Sequence, residues 1–64
     1  MVKIFKNSFK GNISDSIAIN PDFVISVFEA NDSVGIPVTI IYCGGISYEV
    51  EDSYLEVVAR LNEQ

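Results

Sequence analysis

One helical period stands at the end of a chain otherwise cut into short β-type pieces, and that imbalance limits what the chain can fold into. Turn signals do the cutting: Lys10-Gly11-Asn12, Asn20-Pro21-Asp22, Asn31-Asp32-Ser33, Gly35 to Pro37, and Gly44-Gly45. Residues 2–9 read as a first strand and residues 16–20 as a short second one, with Ile17 and Ile19 on one face. Residues 23–30 are dense in β-branched and aromatic side chains, as strands are. Residues 38–43 and 46–51 flank the glycine pair, which can take the positive φ angles of a tight hairpin. In the helix, Ser53 and Glu56 have capping-box spacing, and Glu51 and Asp52 put negative charge near the positive helix end. Tyr54, Val57, Val58 and Leu61 follow at helical spacing with Leu55 beside them, and Glu56 and Arg60 are placed for an exposed ion pair. The helix is expected to fade at Asn62-Glu63-Gln64. At about ten residues it cannot stand alone and must be held by packing. The expected fold is α+β: one small domain over residues 1–64, with an antiparallel sheet of four to five strands and one short C-terminal α-helix.

Such a helix cannot cover such a sheet. It is about 10 Å wide and strands lie about 4.8 Å apart, so it shields roughly two strands. Read as one continuous strand, residues 23–28 are apolar on both sides, with Phe23, Ile25 and Val27 opposed to Val24 and Phe28. Residues 38–43 set Val38, Ile40 and Tyr42 against Ile41 and Cys43, whereas residues 46–51 alternate Ile46, Tyr48 and Val50 with Ser47, Glu49 and Glu51. A two-residue Gly-Gly loop pairs Ile41 with Tyr48 and leaves Val38, Ile40 and Tyr42 beside the acidic side, and a three-residue loop with a bulge exchanges the two sets. In either register some apolar side chains lie away from the main core. They must be covered by residues 1–19 folding over, by a second copy of the chain, or by a foreign partner. The interface candidates are Val24, Phe28, Val38, Ile40 and Tyr42.

Composition sharpens the need for a partner. At 64 residues a core seldom supplies more than ~3–5 kcal/mol by itself, and small domains add disulfides, metals or another subunit. Cys43 is the one cysteine and histidine is absent, so neither an internal disulfide nor a four-ligand zinc site can be built from one chain. The net charge of −5 is uneven: residues 1–20 carry Lys3, Lys6 and Lys10 against Asp15, net +2, and residues 21–64 carry eight acids against Arg60, net −7. An acidic body repels phosphate and argues against direct nucleic-acid binding. The three lysines read as solvated charge that discourages edge pairing of a terminal strand. No apolar run reaches the roughly 18–20 residues of a membrane span, and Met1-Val2-Lys3-Ile4-Phe5 lacks a secretory core. With a lone thiol, this points to the cytoplasm.

Reactive chemistry is sparse. Gly44-Gly45 precedes a strand instead of the helix that a phosphate loop requires. Cys43 has no histidine to activate it and adjoins apolar residues. Glu49, Glu51 and Asp52, with Glu56, form an acidic face, but general acid–base work needs one carboxylate in an apolar pocket, and a hard cation needs more oxygen ligands. Tyr42, Tyr48 and Tyr54 lack the basic neighbours of a base-stacking platform and read as core or interface. No catalytic, metal or cofactor-binding residue is expected.

From residue 20 to residue 62, the order Asn20-Pro21-Asp22, strand, polar turn, strand, glycine turn, Tyr48-Glu49-Val50-Glu51-Asp52-Ser53 and Glu56-Val57-Val58 resembles the small FlbD-type proteins of bacteria, and is similar to short phage and prophage proteins of the same pattern. The resemblance covers about two thirds of the chain and rests on structural punctuation. Gly44-Gly45 departs from the Asn-Gly or Asp-Gly more usual there, and residues 1–19 have no counterpart. It implies either an association with flagellar regulation or no known role, and no catalytic residues.

The function expected is a non-enzymatic protein-interaction module of bacterial or phage origin, self-associating through an apolar sheet face or edge as a homo-oligomer, with a host or cellular protein as a further partner. Two other readings stand beside it: an acidic phage-type decoy that occupies a basic site on a host protein, and an oligomer holding a small ligand such as a nucleotide between subunits.

Overall fold

The structure, a computed structural model, describes residues 1–8 and 16–63. The Lys10-Gly11-Asn12 turn, Phe9 at the end of the first expected strand, the charges of Lys10 and Asp15, and Gln64 lie outside the described residues. Along the chain come β1 (Lys3–Lys6), β2 (Ser16–Ile19), a 3-10 turn (Pro21–Phe23), β3 (Ser26–Asn31), β4 (Pro37–Tyr42), β5 (Ser47–Val50) and α1 (Tyr54–Leu61). The class is α+β.

The expectation of one sheet is corrected. β1 and β2 form a two-stranded antiparallel sheet, and β3, β4 and β5 form a three-stranded one in that order. The two are joined where Asn7 bridges Val50: Ser8 N–H donates to Glu49 C=O at 3.0 Å, and Glu51 N–H donates to Lys6 C=O at 2.8 Å. The physical reason lies in the alternation of β1 and β2. Phe5 and Ile17 are cross-strand partners, as are Lys3 and Ile19, so Phe5, Ile17 and Ile19 share one face. That face enters the core with Ile41, Val50 and Val57, drawing the hairpin over the helix side of the larger sheet.

Val24, Val27, Cys43, Tyr48 and Leu61 pack around this core, and α1 lies against β1, β3 and β4. Residues of the N-terminal hairpin therefore cover part of the apolar surplus, with Phe5, Ile17 and Ile19 on the helix side. Val57, wholly buried, is the central contact of α1, and the expected capping box is present: Glu56 N–H donates to Ser53 Oγ at 3.2 Å and Ser53 N–H to Glu56 Oε1 at 3.3 Å. The expected Glu56–Arg60 pair is not made. Glu56 is spent on the cap, while the Arg60 guanidinium lies 3.7 Å from Asp52 Oδ2, donates to the Ile4 carbonyl and sits over the Phe5 ring at 5.2 Å.

Residues 23–30 do not run as one strand. Asn20 Oδ1 accepts Asp22 N–H at 2.9 Å and seats the Pro21–Phe23 turn, so the strand begins only at Ser26. Ile25 N–H donates to Tyr42 C=O at 2.8 Å, although Tyr42 is already the partner of Ser26, and this shifts the phase of the alternation. Val24 and Val27 both pack on the core, three residues apart, while Phe23 and Ile25 are each 67% exposed. The grouping of Phe23, Ile25 and Val27 against Val24 and Phe28 is thereby overturned.

The β4–β5 hairpin takes the two-residue register. Ile41 pairs with Tyr48, Ile40 with Glu49, and Cys43 N–H donates to Ile46 C=O at 2.9 Å. Gly44 and Gly45 have φ of 70° and 78°, the mirror-image turn that matches strand twist. A Cβ at Gly44 would stand 3.0 Å from Ile25 Cδ1, an exposed side-chain end able to rotate away, and at Gly45 it would meet nothing within 4 Å. Gly44→Ala and Gly45→Ala are each expected to cost ~1–2 kcal/mol for the left-handed backbone, with asparagine at either position costing less. Urea denaturation measures this. A Gly45→Ala protein as stable as the parent would contradict the turn.

Candidate functional site

Cross-strand partners share a face, so the registers define the side of the larger sheet turned away from α1. On it lie Ser26, Phe28 and Ala30 from β3, Val38, Ile40 and Tyr42 from β4, and Ser47 and Glu49 from β5. Phe28 is paired with Ile40 and Ser26 with Tyr42, which sets two aromatic rings diagonally about Ile40. Phe28 is 47% exposed and Tyr42 37% exposed, while Ile40 is half-buried. The polar end of this face is β5, where Ser47 stands beside Tyr42 and Glu49 beside Ile40. Tyr42 is held by its hydroxyl, which accepts Gly45 N–H at 3.3 Å.

The five interface candidates separate. Phe28, Ile40 and Tyr42 come together here. Val38 belongs to the same face but is 7% exposed, and Val24 packs on the core from the opposite side of the sheet. Sequence reasoning missed the exposure of Phe23, Ile25, Val34 and Ile36. Of these, Val34 and Ile36 are presented by the β3–β4 turn, where Asp32 Oδ1 accepts both their N–H groups at 2.9 Å. The signal was available in Asn31-Asp32-Ser33 and Gly35, whose turn chemistry turns neighbouring side chains outward.

The acidic candidates are dispersed into local tasks. Glu49 is half-buried and accepts Ser8 Oγ–H at 3.2 Å. Asp52 accepts Lys6 N–H at 2.7 Å and faces Arg60, and its carbonyl accepts the buried Thr39 hydroxyl at 2.8 Å. Glu51 is exposed. Lys3, one of the N-terminal lysines read as solvated charge, is 3.3 Å from Glu63 Oε1. Among the described residues no three His, Cys, Asp or Glu side chains are grouped to hold a metal. Cys43 is half-buried, and burial raises its thiol pKa, which lowers the fraction of reactive thiolate. A cleft of about 520 Å³ beside β5 is lined by Asn7, Ile17, Ile40, Ser47, Tyr48 and Glu49, a set without the positive charge that a nucleotide phosphate needs. Among the described residues no helix is long and apolar enough to cross a membrane.

Comparison with family models, with curated proteins and with solved structures gives no match. The likeness to the FlbD-type proteins therefore rests on the residues quoted for it.

Proposed function

We propose that this chain is a non-enzymatic interaction module, of the bacterial or phage kind that the FlbD-type likeness implies, and that it associates with a second copy of itself through β3 and β4. The observation that carries the reading is the Phe28–Ile40–Tyr42 surface, on which Phe28 and Tyr42, set about Ile40 by the β3–β4 register, remain exposed. With both aromatics partly open to water, each has about half its transfer free energy left to gain, roughly 1 kcal/mol. Against an association cost of roughly 4–15 kcal/mol, the face alone would hold a weak complex, and a lasting one needs main-chain bonds along the sheet edge as well. The acidic-decoy reading draws less support, because Glu49 and Asp52 are engaged within the chain. The ligand-pocket reading draws less too, because none of the described residues that line the cleft is a cation.

Sedimentation velocity over a range of protein and salt concentrations tests the proposal. The parent is expected to sediment as a dimer or higher oligomer with little salt dependence, since an apolar contact is not screened. Phe28→Ser with Tyr42→Ser is expected to shift it to monomer with unchanged circular dichroism. A parent that is monomeric at every concentration would overturn the reading.

A further inference from the structure

The three-stranded sheet ends on β3, whose far side pairs with no strand among the described residues. Edges of this length are usually blunted by lysine, proline or a very short strand. β3 has six residues, Ser26-Val27-Phe28-Glu29-Ala30-Asn31, with no lysine, no proline and one charge. The other terminal strand, β2, has four residues. We infer that β3 is a pairing edge for β3 of a second copy, antiparallel and with Phe28 opposite Phe28 of the partner copy, which makes one continuous six-stranded sheet.

The main chain says which groups are on offer. Cys43 N–H donates to Ile46 C=O, so Cys43, and by alternation Ile41 and Thr39, turn their main-chain groups to β5. Tyr42, Ile40 and Val38 then turn theirs to β3, in keeping with the bond that Tyr42 C=O accepts from Ile25 N–H. Their partners Ser26, Phe28 and Ala30 are used up in that ladder, and Val27, Glu29 and Asn31 direct N–H and C=O to the open side.

Symmetry and charge then choose the register. Two copies paired through identical antiparallel edges are related by a two-fold axis perpendicular to the sheet, so each side chain keeps its face. Residues opposite one another must therefore be of the same parity, and one residue must lie opposite its own copy. Centring on Glu29 sets two carboxylates against each other, which is unfavourable. Centring on Val27 or Ala30 pairs only three strand residues of each copy. Centring on Phe28 pairs five, Ser26 to Ala30, with Val27 opposite Glu29 as the hydrogen-bonded pairs. Phe28 becomes a non-hydrogen-bonded pair, the closer kind, which suits two aromatic rings. Both outer faces join, and the two Phe28–Ile40–Tyr42 surfaces become one. The occupant is a second copy because this register is self-complementary and avoids the one like-charge contact the strand can make.

The inference rests on the self-association proposed above, and the test separates the two. In a Cys43→Ala background, Phe28→Cys is expected to form a disulfide dimer on mild oxidation, and Glu29→Cys is not. A mixture of Ser26→Cys and Ala30→Cys chains is expected to cross-link to each other in preference to themselves. Without oxidant, Glu29→Pro removes an outward N–H and no ladder bond, and is expected to weaken the dimer at least about tenfold. A parent dimer that survives Glu29→Pro, or that cross-links as readily through Glu29→Cys, overturns the edge pairing and leaves self-association standing. A monomeric parent overturns both. If Glu29→Pro loses its circular dichroism, the cysteine pattern decides.

Discussion

Phe5→Ala is expected to leave the chain largely unfolded at room temperature. Phe5 is 1% exposed and belongs to a core whose other wholly or nearly buried members are Ile19, Ile41, Val50 and Val57. Removing a buried phenylalanine ring costs ~3–5 kcal/mol, through lost transfer free energy and the cavity left behind. A 64-residue core rarely supplies more than that in total. The ring also does two jobs that a smaller aliphatic residue does not share. It ties the β1–β2 hairpin to the larger sheet, and it is the surface on which the Arg60 guanidinium rests. Phe5→Leu, which keeps most of the volume, is expected to fold with a lowered midpoint. Thermal unfolding by circular dichroism at one fixed protein concentration measures both, the concentration being held because association would shift the midpoint. A cooperative transition for Phe5→Ala within a few degrees of the parent would show that the hairpin is not part of the cooperative core.

The second large effect is expected at Asp52, where three segments meet. Its carboxylate accepts Lys6 N–H from β1 and faces Arg60 of α1, while its carbonyl accepts the Thr39 hydroxyl from β4. Hydrogen bonds to a charged group contribute about 1.5–3 kcal/mol, more than the exposed ion pair with Arg60, which is worth ~1 kcal/mol at most. Asp52→Ala is therefore expected to lose about 2 kcal/mol, lowering the midpoint by roughly 8–16 °C in a domain of this size. Asp52→Asn keeps an acceptor for Lys6 and is expected to lose about half as much. Equal losses for the two would assign the effect to the ion pair; no loss in either would remove Asp52 as the point that joins β1 to the helix.

Much of the fold is legible in the residues because local chemistry decides it. Gly44-Gly45 can take two successive positive φ angles, Ser53 and Glu56 can satisfy each other's main chain, and Tyr48-Glu49-Val50 alternates cleanly, so hairpin and helix are where the spacing puts them. The start of β3 was not legible. Phe23, Val24 and Ile25 have every strand preference, but the Asn20-Pro21-Asp22 turn carries on through Phe23, and the doubled use of Tyr42 shifts the phase that follows. The partner of Arg60 was hidden for a similar reason. Helical spacing offers Glu56, and only the fold brings up Asp52 and Phe5, which are distant along the chain.

Of the candidate surface, Phe28, Ile40 and Tyr42 could be named from alternation, because a period of two assigns a side of the strand. It does not say what lies across that side. The amino-acid order by itself determined the class, the hairpin, the capped helix and the excess of apolar strand surface, since each depends on neighbours within a few residues. Tertiary structure decided which part of that excess is covered. Phe5, Ile17 and Ile19 close over the helix side, Val24 and Val38 are withdrawn, and Phe28 and Tyr42 stay open. Burial depends on which segments distant in sequence come to lie against each other, and a chain's local pattern carries no record of that distance.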